Sequence, residues 1–102
     1  MIKLEFYVPE KNAEDVKRAV FKAGSGKIGN YNCCAWETSG TGQFRPCEGS
    51  NPFIGKMDEI EKVTEIKVEM VCSDELIEKV IEALKKTHPY ETPAYQYWSV
   101  KS

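Results

Sequence analysis

From its second residue the chain alternates apolar and polar positions. Ile2, Leu4, Phe6 and Val8 face one way and Lys3, Glu5 and Tyr7 the other, the period of two that marks a strand with one buried face. Beyond Pro9 and Asn12 the period lengthens: Ala13, Val16, Val20 and Ala23 recur at spacings of three and four, which predicts a helix with one apolar stripe, ended by Gly24 and Gly26. Ile66, Val68, Met70 and Cys72 alternate with Lys67, Glu69 and Val71, so a second half-buried strand is expected up to Cys72. Ser73 then reads as a helix N-cap, with Asp74 and Glu75 favourably placed against the dipole. The helix it opens carries Leu76, Ile77, Val80, Ile81 and Leu84 on its inner face and Lys85 and Lys86 near its end. Pro89 stops it, because proline lacks an N–H and disfavours helical geometry at the preceding His88. A last strand is predicted over residues 94–100.

The middle of the chain is less periodic. Residues 29–38 are rich in Tyr, Cys and Trp, and Ser39-Gly40-Thr41-Gly42 supplies a turn signal before Gln43-Phe44-Arg45-Pro46, so a hairpin is expected there. Residues 47–59, with Gly49, Pro52 and Gly55, read as a loop. The order of elements predicts an α+β fold, a ferredoxin-like βαββαβ sandwich in which two helices cover one face of an antiparallel sheet. One domain, 1–102, accounts for the whole length.

Composition narrows the function. A hydrophobic share of 41% against 29% charged residues supports a packed core, and a net charge of −2 without a basic run argues against nucleic-acid binding. Charges at Lys3 and Glu5 interrupt any apolar signal core, and no stretch approaches the ~20 apolar residues of a membrane span, so no membrane partner is expected and the cytoplasm is the default location. Cys33, Cys34, Cys47 and Cys72 lack metal-ligand spacing and read as reduced, buried structural thiols. No cofactor or stoichiometric metal is expected.

Three features carry candidate chemistry. Gly24-Ser25-Gly26-Lys27-Ile28-Gly29 matches G-x-G-x-x-G, but it follows a helix instead of opening one, the reverse of the dinucleotide-binding context. The pattern suits a helix C-cap and a tight turn needing positive φ, and its amides with Lys27 offer an anion-binding nest. His88, the single histidine, stands at a helix end where it can meet the last carbonyls, and Glu91 follows closely enough to orient it or hold a ligand. Tyr90, Tyr95, Tyr97 and Trp98 crowd the end of the chain; alternation puts rings on both faces of the last strand, and one set implies a contact surface.

Together with Cys34-x-Trp36, Gly40-x-Gly42-x-Phe44-x-Pro46, Asn51-Pro52-x-Ile54-Gly55 and His88-Pro89-Tyr90-Glu91-x-Pro93-Ala94-Tyr95, the glycine segment resembles the insert domain of the NGG-one-interacting-factor-three-like family, here expected to stand alone. The resemblance implies the fold shared by PII signalling proteins and CutA, relatives that assemble as trimers. PII proteins bind effectors between subunits, and CutA carries a His-Pro-Tyr-Glu-like segment. Full-length members of the resembled family have a two-metal site of histidines and carboxylates in flanking domains. With one histidine in this sequence, neither that site nor a cyclohydrolase activity carries over. The expectation is therefore a non-enzymatic binding, regulatory or assembly domain acting as a homo-oligomer, with a small anionic effector near Gly24, Gly26, Lys27, Asn30, Tyr31, His88 and Glu91. The alternative is a CutA-like divalent-metal-tolerance protein using Cys33 or Cys34 with His88. A metal-free enzyme would have His88 and Glu91 as its acid–base pair.

Overall fold

The alternation at the start of the chain becomes strand β1, Ile2–Pro9, whose apolar residues are all buried. The computed structural model describes residues 1–102. A 3₁₀ turn leads from β1 into helix α1, Ala13–Lys22; strands β2, Trp36–Phe44, and β3, Glu61–Cys72, follow, then helix α2, Ile77–Thr87, and strand β4, Tyr95–Ser99. The four strands form one antiparallel sheet in the order β2-β3-β1-β4. This is the expected ferredoxin-like α+β arrangement. No helix is long and apolar enough to cross a membrane.

Register fixes the two faces. Ile2, Leu4, Phe6 and Val8 lie opposite Cys72, Met70, Val68 and Ile66, and directly opposed residues share a face. All eight belong to the core, against Val16 and Val20 of α1 and Val80, Ile81 and Leu84 of α2. The other face carries Lys3, Glu5 and Tyr7 of β1, Glu65, Lys67 and Glu69 of β3, Trp36 of β2 and Trp98 of β4. Across its centre run diagonal ion pairs, Lys67–Glu5 at 3.4 Å and Lys3–Glu69 at 3.7 Å. Tyr95 and Tyr97 belong to the helix side, where their rings stack at 6.5 Å and the Lys85 ammonium lies 5.7 Å from the Tyr95 ring.

The glycine segment terminates α1 as its pattern suggests. Gly24, at φ 118°, donates its N–H to Phe21 O, and Ser25 donates to Val20 O, the paired bonds of a Schellman cap. Gly26, at φ 78°, donates to Val71 O and accepts from Cys34 N–H, each at 2.8 Å, tying the turn to β3.

Four expectations are corrected. Ser39–Gly42 is not a turn: β2 runs straight through it, paired from Trp36↔Glu69 to Phe44↔Glu61. The twelve residues of β3 supply ladder partners for both β1 and β2, which outweighs the local turn preference of the two glycines. Second, residues 29–35 form no strand, only an isolated bridge between Ile28 and Tyr31, so the cysteines at 33 and 34 sit in a loop. Third, burial is confined to Cys72; Cys33 and Cys47 are exposed and Cys34 is half-buried. Burial pushes the Cys72 thiol pKa up, helped by Asp74 and Glu75. Fourth, Ser73 does take the N-cap position, extended at φ −70° and ψ 149°, but the turn it opens is a 3₁₀ one, Asp74–Leu76, ahead of α2, and its side chain makes no capping bond; Leu76 N–H bonds Ser73 O.

A side chain at Gly26 would meet two obstacles: a Cβ there lies 2.8 Å from Phe21 Cε1 and 3.0 Å from Cys34 O. With positive φ added, Gly26→Val is expected to destabilise by roughly 1 kcal/mol or more, lowering Tm by about 5 °C or more. Thermal melts of the two proteins check this, and an unchanged Tm would show that the turn relaxes freely.

Candidate functional site at the end of the open face

His88 leaves α2 in an extended conformation at φ −65°, its own N–H still bonded to Leu84 O. The residue is 5% exposed. Nε2 lies 2.7 Å from Tyr7 O, and Nδ1 accepts the Tyr90 N–H at 3.1 Å. A carbonyl can only accept, so Nε2 carries the proton and the ring is the neutral tautomer, satisfied at both nitrogens. Desolvation holds its pKa below the usual histidine range, against the opposing pull of the Tyr7 carbonyl.

That ring aims the next residues. Tyr90 packs on it at 5.2 Å, meets Phe44 edge-on at 5.6 Å and Phe53 at 6.4 Å, and donates its hydroxyl to Glu65 at 3.2 Å. Burial, with the negative charge of Glu65 and Glu61, pushes the Tyr90 phenol up to about 12. Glu65 owes its position to Gly42, where a Cβ would collide with the carboxylate; Glu65 fills the space that glycine leaves. On the other side Glu91 accepts the Asn51 N–H at 2.6 Å, pinning the 45–55 loop. Between these parts lies a groove of about 370 Å³, with Phe44, Pro46, Phe53, Ile54 and Tyr90 among its apolar walls and Ser50, Glu65 and Glu91 among its polar ones.

The residues singled out from sequence fall into two places. Gly24, Gly26, Lys27, Asn30 and Tyr31 lie by the Val71 end of β3, opposite Lys3, whereas His88 and Glu91 lie by Tyr7. Lys3 and Tyr7 are four positions apart on β1, about 13 Å along the strand, so one copy of the chain does not bring the two groups together. The amides of Gly24, Ser25 and Gly26 are all spent on carbonyls, which leaves the nest idea with Lys27 and the loop beyond. Cys33 and Cys34 are equally remote from His88, and no three His, Cys, Asp or Glu side chains cluster to hold a metal. Glu91 bonds the loop and makes no hydrogen bond to the imidazole. Sequence reasoning missed Phe44, Ser50, Phe53, Glu65 and Tyr90 as site residues. The signal was nonetheless present: the segments around Phe44, Asn51-Pro52 and His88-Pro89-Tyr90 all converge on this groove.

No family model matches the chain. A Halalkalibacterium halodurans protein named GTP cyclohydrolase 1 type 2 homolog is 44% identical over 98 residues, 96% of this chain and 26% of that protein. A Bacillus subtilis protein of the same name is 42% identical over 97% of this chain and 26% of its own length. Among solved structures, the Bacillus cereus protein related to NIF3 superposes with a TM-score of 0.84 at 37% identity, over 99% of this chain and 26% of that one. The chain is thus similar in sequence and in fold to one segment of these proteins. It spans about a quarter of the length of those relatives. CutA from Pyrococcus horikoshii shares the fold, with a TM-score of 0.70 at 23% identity over 100% of this chain and 85% of that one. A PII-like CutA from Nostoc does so at 0.69 and 18% identity, over 98% and 81%.

The geometry of His88 sets a pH dependence. The unfolded imidazole takes a proton near its ordinary 6.5, the folded one only at lower pH. Stability is therefore complete above that value and is lost as pH falls from it towards the depressed folded pKa. Urea melts between pH 7.5 and 5.5 should show this decline, and His88→Gln should be less stable at neutral pH but flatter across the window. A wild-type profile as flat as the variant's would show that protonation meets no resistance in the folded state.

Proposed function

We propose that this domain is a non-catalytic binding and regulatory module that works as an assembly of identical copies docked through the open sheet face. One observation carries the reading: α1 and α2 cover one side of the sheet, while Trp36 and Trp98 stand 69% and 45% exposed on the other. Exposed indoles at the two edges of a sheet face are strong interface anchors. The ion pairs between them supply polar groups that fix the register of a partner more than they add affinity. Strand β2 also leaves a nine-residue outer edge unpaired, which a closed symmetric assembly protects. The family resemblance favours three subunits. Four unpaired cysteines suit a reducing compartment, and the reading takes the cytoplasm as its setting.

A second reading concerns an anionic effector. Unlike those of Gly24 to Gly26, the amides of Lys27, Gly29 and Asn30 meet no backbone acceptor, and they stand on an exposed loop with the Lys27 ammonium. Inorganic phosphate or a nucleotide bound there would raise Tm by binding linkage; no rise with either would remove this reading.

Sedimentation at micromolar concentration tests the assembly. The wild type is expected as one species at a small multiple of 11.6 kDa, and Trp36→Glu with Trp98→Glu should shift it to the monomer with an unchanged far-UV circular dichroism spectrum, since both side chains are exposed within one copy, while its Tm falls by the stabilisation that association supplied. A single wild-type species near 11.6 kDa would sink the proposal.

A further inference from the structure

We propose that the groove beside Tyr90 binds a small organic cation, a protonated primary amine carried on an apolar or aromatic body. The inference deepens the reading of the domain as a binding module and does not depend on its self-association.

Charge and unused hydrogen-bonding capacity point to the amine. Two carboxylates line the groove, each engaged by one oxygen: Glu65 Oε2 takes the Tyr90 hydroxyl, and Glu91 Oε2 takes the Asn51 amide. Each keeps a second oxygen without a partner. Ser50 stands in the groove wall with its Oγ shielded from solvent and without a hydrogen-bond partner, so it becomes a third acceptor once the wall shifts enough to let a ligand donor reach it. A buried hydroxyl in that state carries a desolvation cost that a ligand donor would relieve. A primary ammonium has three donors and no acceptor, the complement of this set. Arg45 is the one cation on the lining and is exposed, so the carboxylates outnumber it.

Shape and surface point to the body. Phe44, Phe53 and Tyr90 present ring faces and edges in one cluster, with Pro46, Pro52 and Ile54 beside them. Such walls take up an apolar group by area, and ring faces favour a nearby cation over an anion. A cavity of about 370 Å³ lies at the small end of ligand pockets, which suits a single ring with a short chain. Gly42 completes the site indirectly, because only a residue without Cβ lets the Glu65 carboxylate lie where it does.

The test is an NMR titration of the full chain with phenethylammonium, with its near-isosteric anion 3-phenylpropanoate, and with magnesium. Phenethylammonium should shift the amides of Phe44, Ser50, Phe53 and Tyr90 saturably, the other two should not, and Glu65→Gln and Glu91→Gln should each weaken binding by roughly tenfold. The amide oxygen introduced by Glu65→Gln can still accept the Tyr90 hydroxyl, so the fold is retained, and Tm of each variant checks this. Ser50→Ala should lower affinity without lowering Tm, an outcome that a purely structural serine would not give. The proposal is overturned if the anion binds as well as the amine, if magnesium competes for the same amides, or if millimolar phenethylammonium produces no saturable shift. Sedimentation of the same sample separates the two readings: a monomer that binds the amine defeats assembly alone, and an assembly that ignores it defeats this inference alone.

Discussion

The inner face of β1 must be dry, and the rest of the fold is arranged to keep it so. Leu4, Phe6 and Val8 have no exposed surface, and burying side chains of this size is worth about 1.5–3 kcal/mol each. Because β1 pairs with β3 on one side and β4 on the other, its backbone is bonded along both edges. The two helices then have one place to put their apolar stripes. The opposite face receives none of this cover, which is why it is built from charged ladders and edge indoles. The asymmetry that stabilises one side is what leaves the other open to solvent in a single copy.

His88 links these layers at the end where the groove forms. A helix end, a strand carbonyl and the following amide meet on one neutral ring, so the direction in which the chain leaves α2 is fixed by hydrogen bonds to both imidazole nitrogens. A residue that looks like chemistry from its type is here an internal fastener. What it fastens is Tyr90, whose ring and hydroxyl organise the groove with Phe44, Phe53 and Glu65.

The elements with strong periodicity, residues 2–8, 13–23, 66–72 and 76–86, were legible because burial of a single face imposes its period on the sequence. The Schellman cap was legible in Gly24 and Gly26, since positive φ leaves few alternatives. Strand β2 was not. Its burial pattern is almost wholly exposed, so no hydrophobic alternation marks it, and its extended state is imposed by the ladder with β3. The groove was half legible: the short segments that build it were visible, but their convergence depends on β3 beginning at Glu61, five residues before its apolar alternation.

Gly42 shows why that last step escapes a one-dimensional reading. A glycine between a threonine and a glutamine is most simply a turn residue, because local conformational freedom is its commonest use. In this fold its backbone is an ordinary strand, and the missing Cβ matters to a different residue, Glu65, which lies over it. Glu65 then holds the Tyr90 hydroxyl, and Tyr90 sits between Phe44 and Phe53. The absence of one carbon on β2 is thus transmitted through a carboxylate on β3 to an aromatic side chain beyond α2. A site assembled this way has no local sequence signature, since the decisive property of Gly42 is space that belongs to its neighbour.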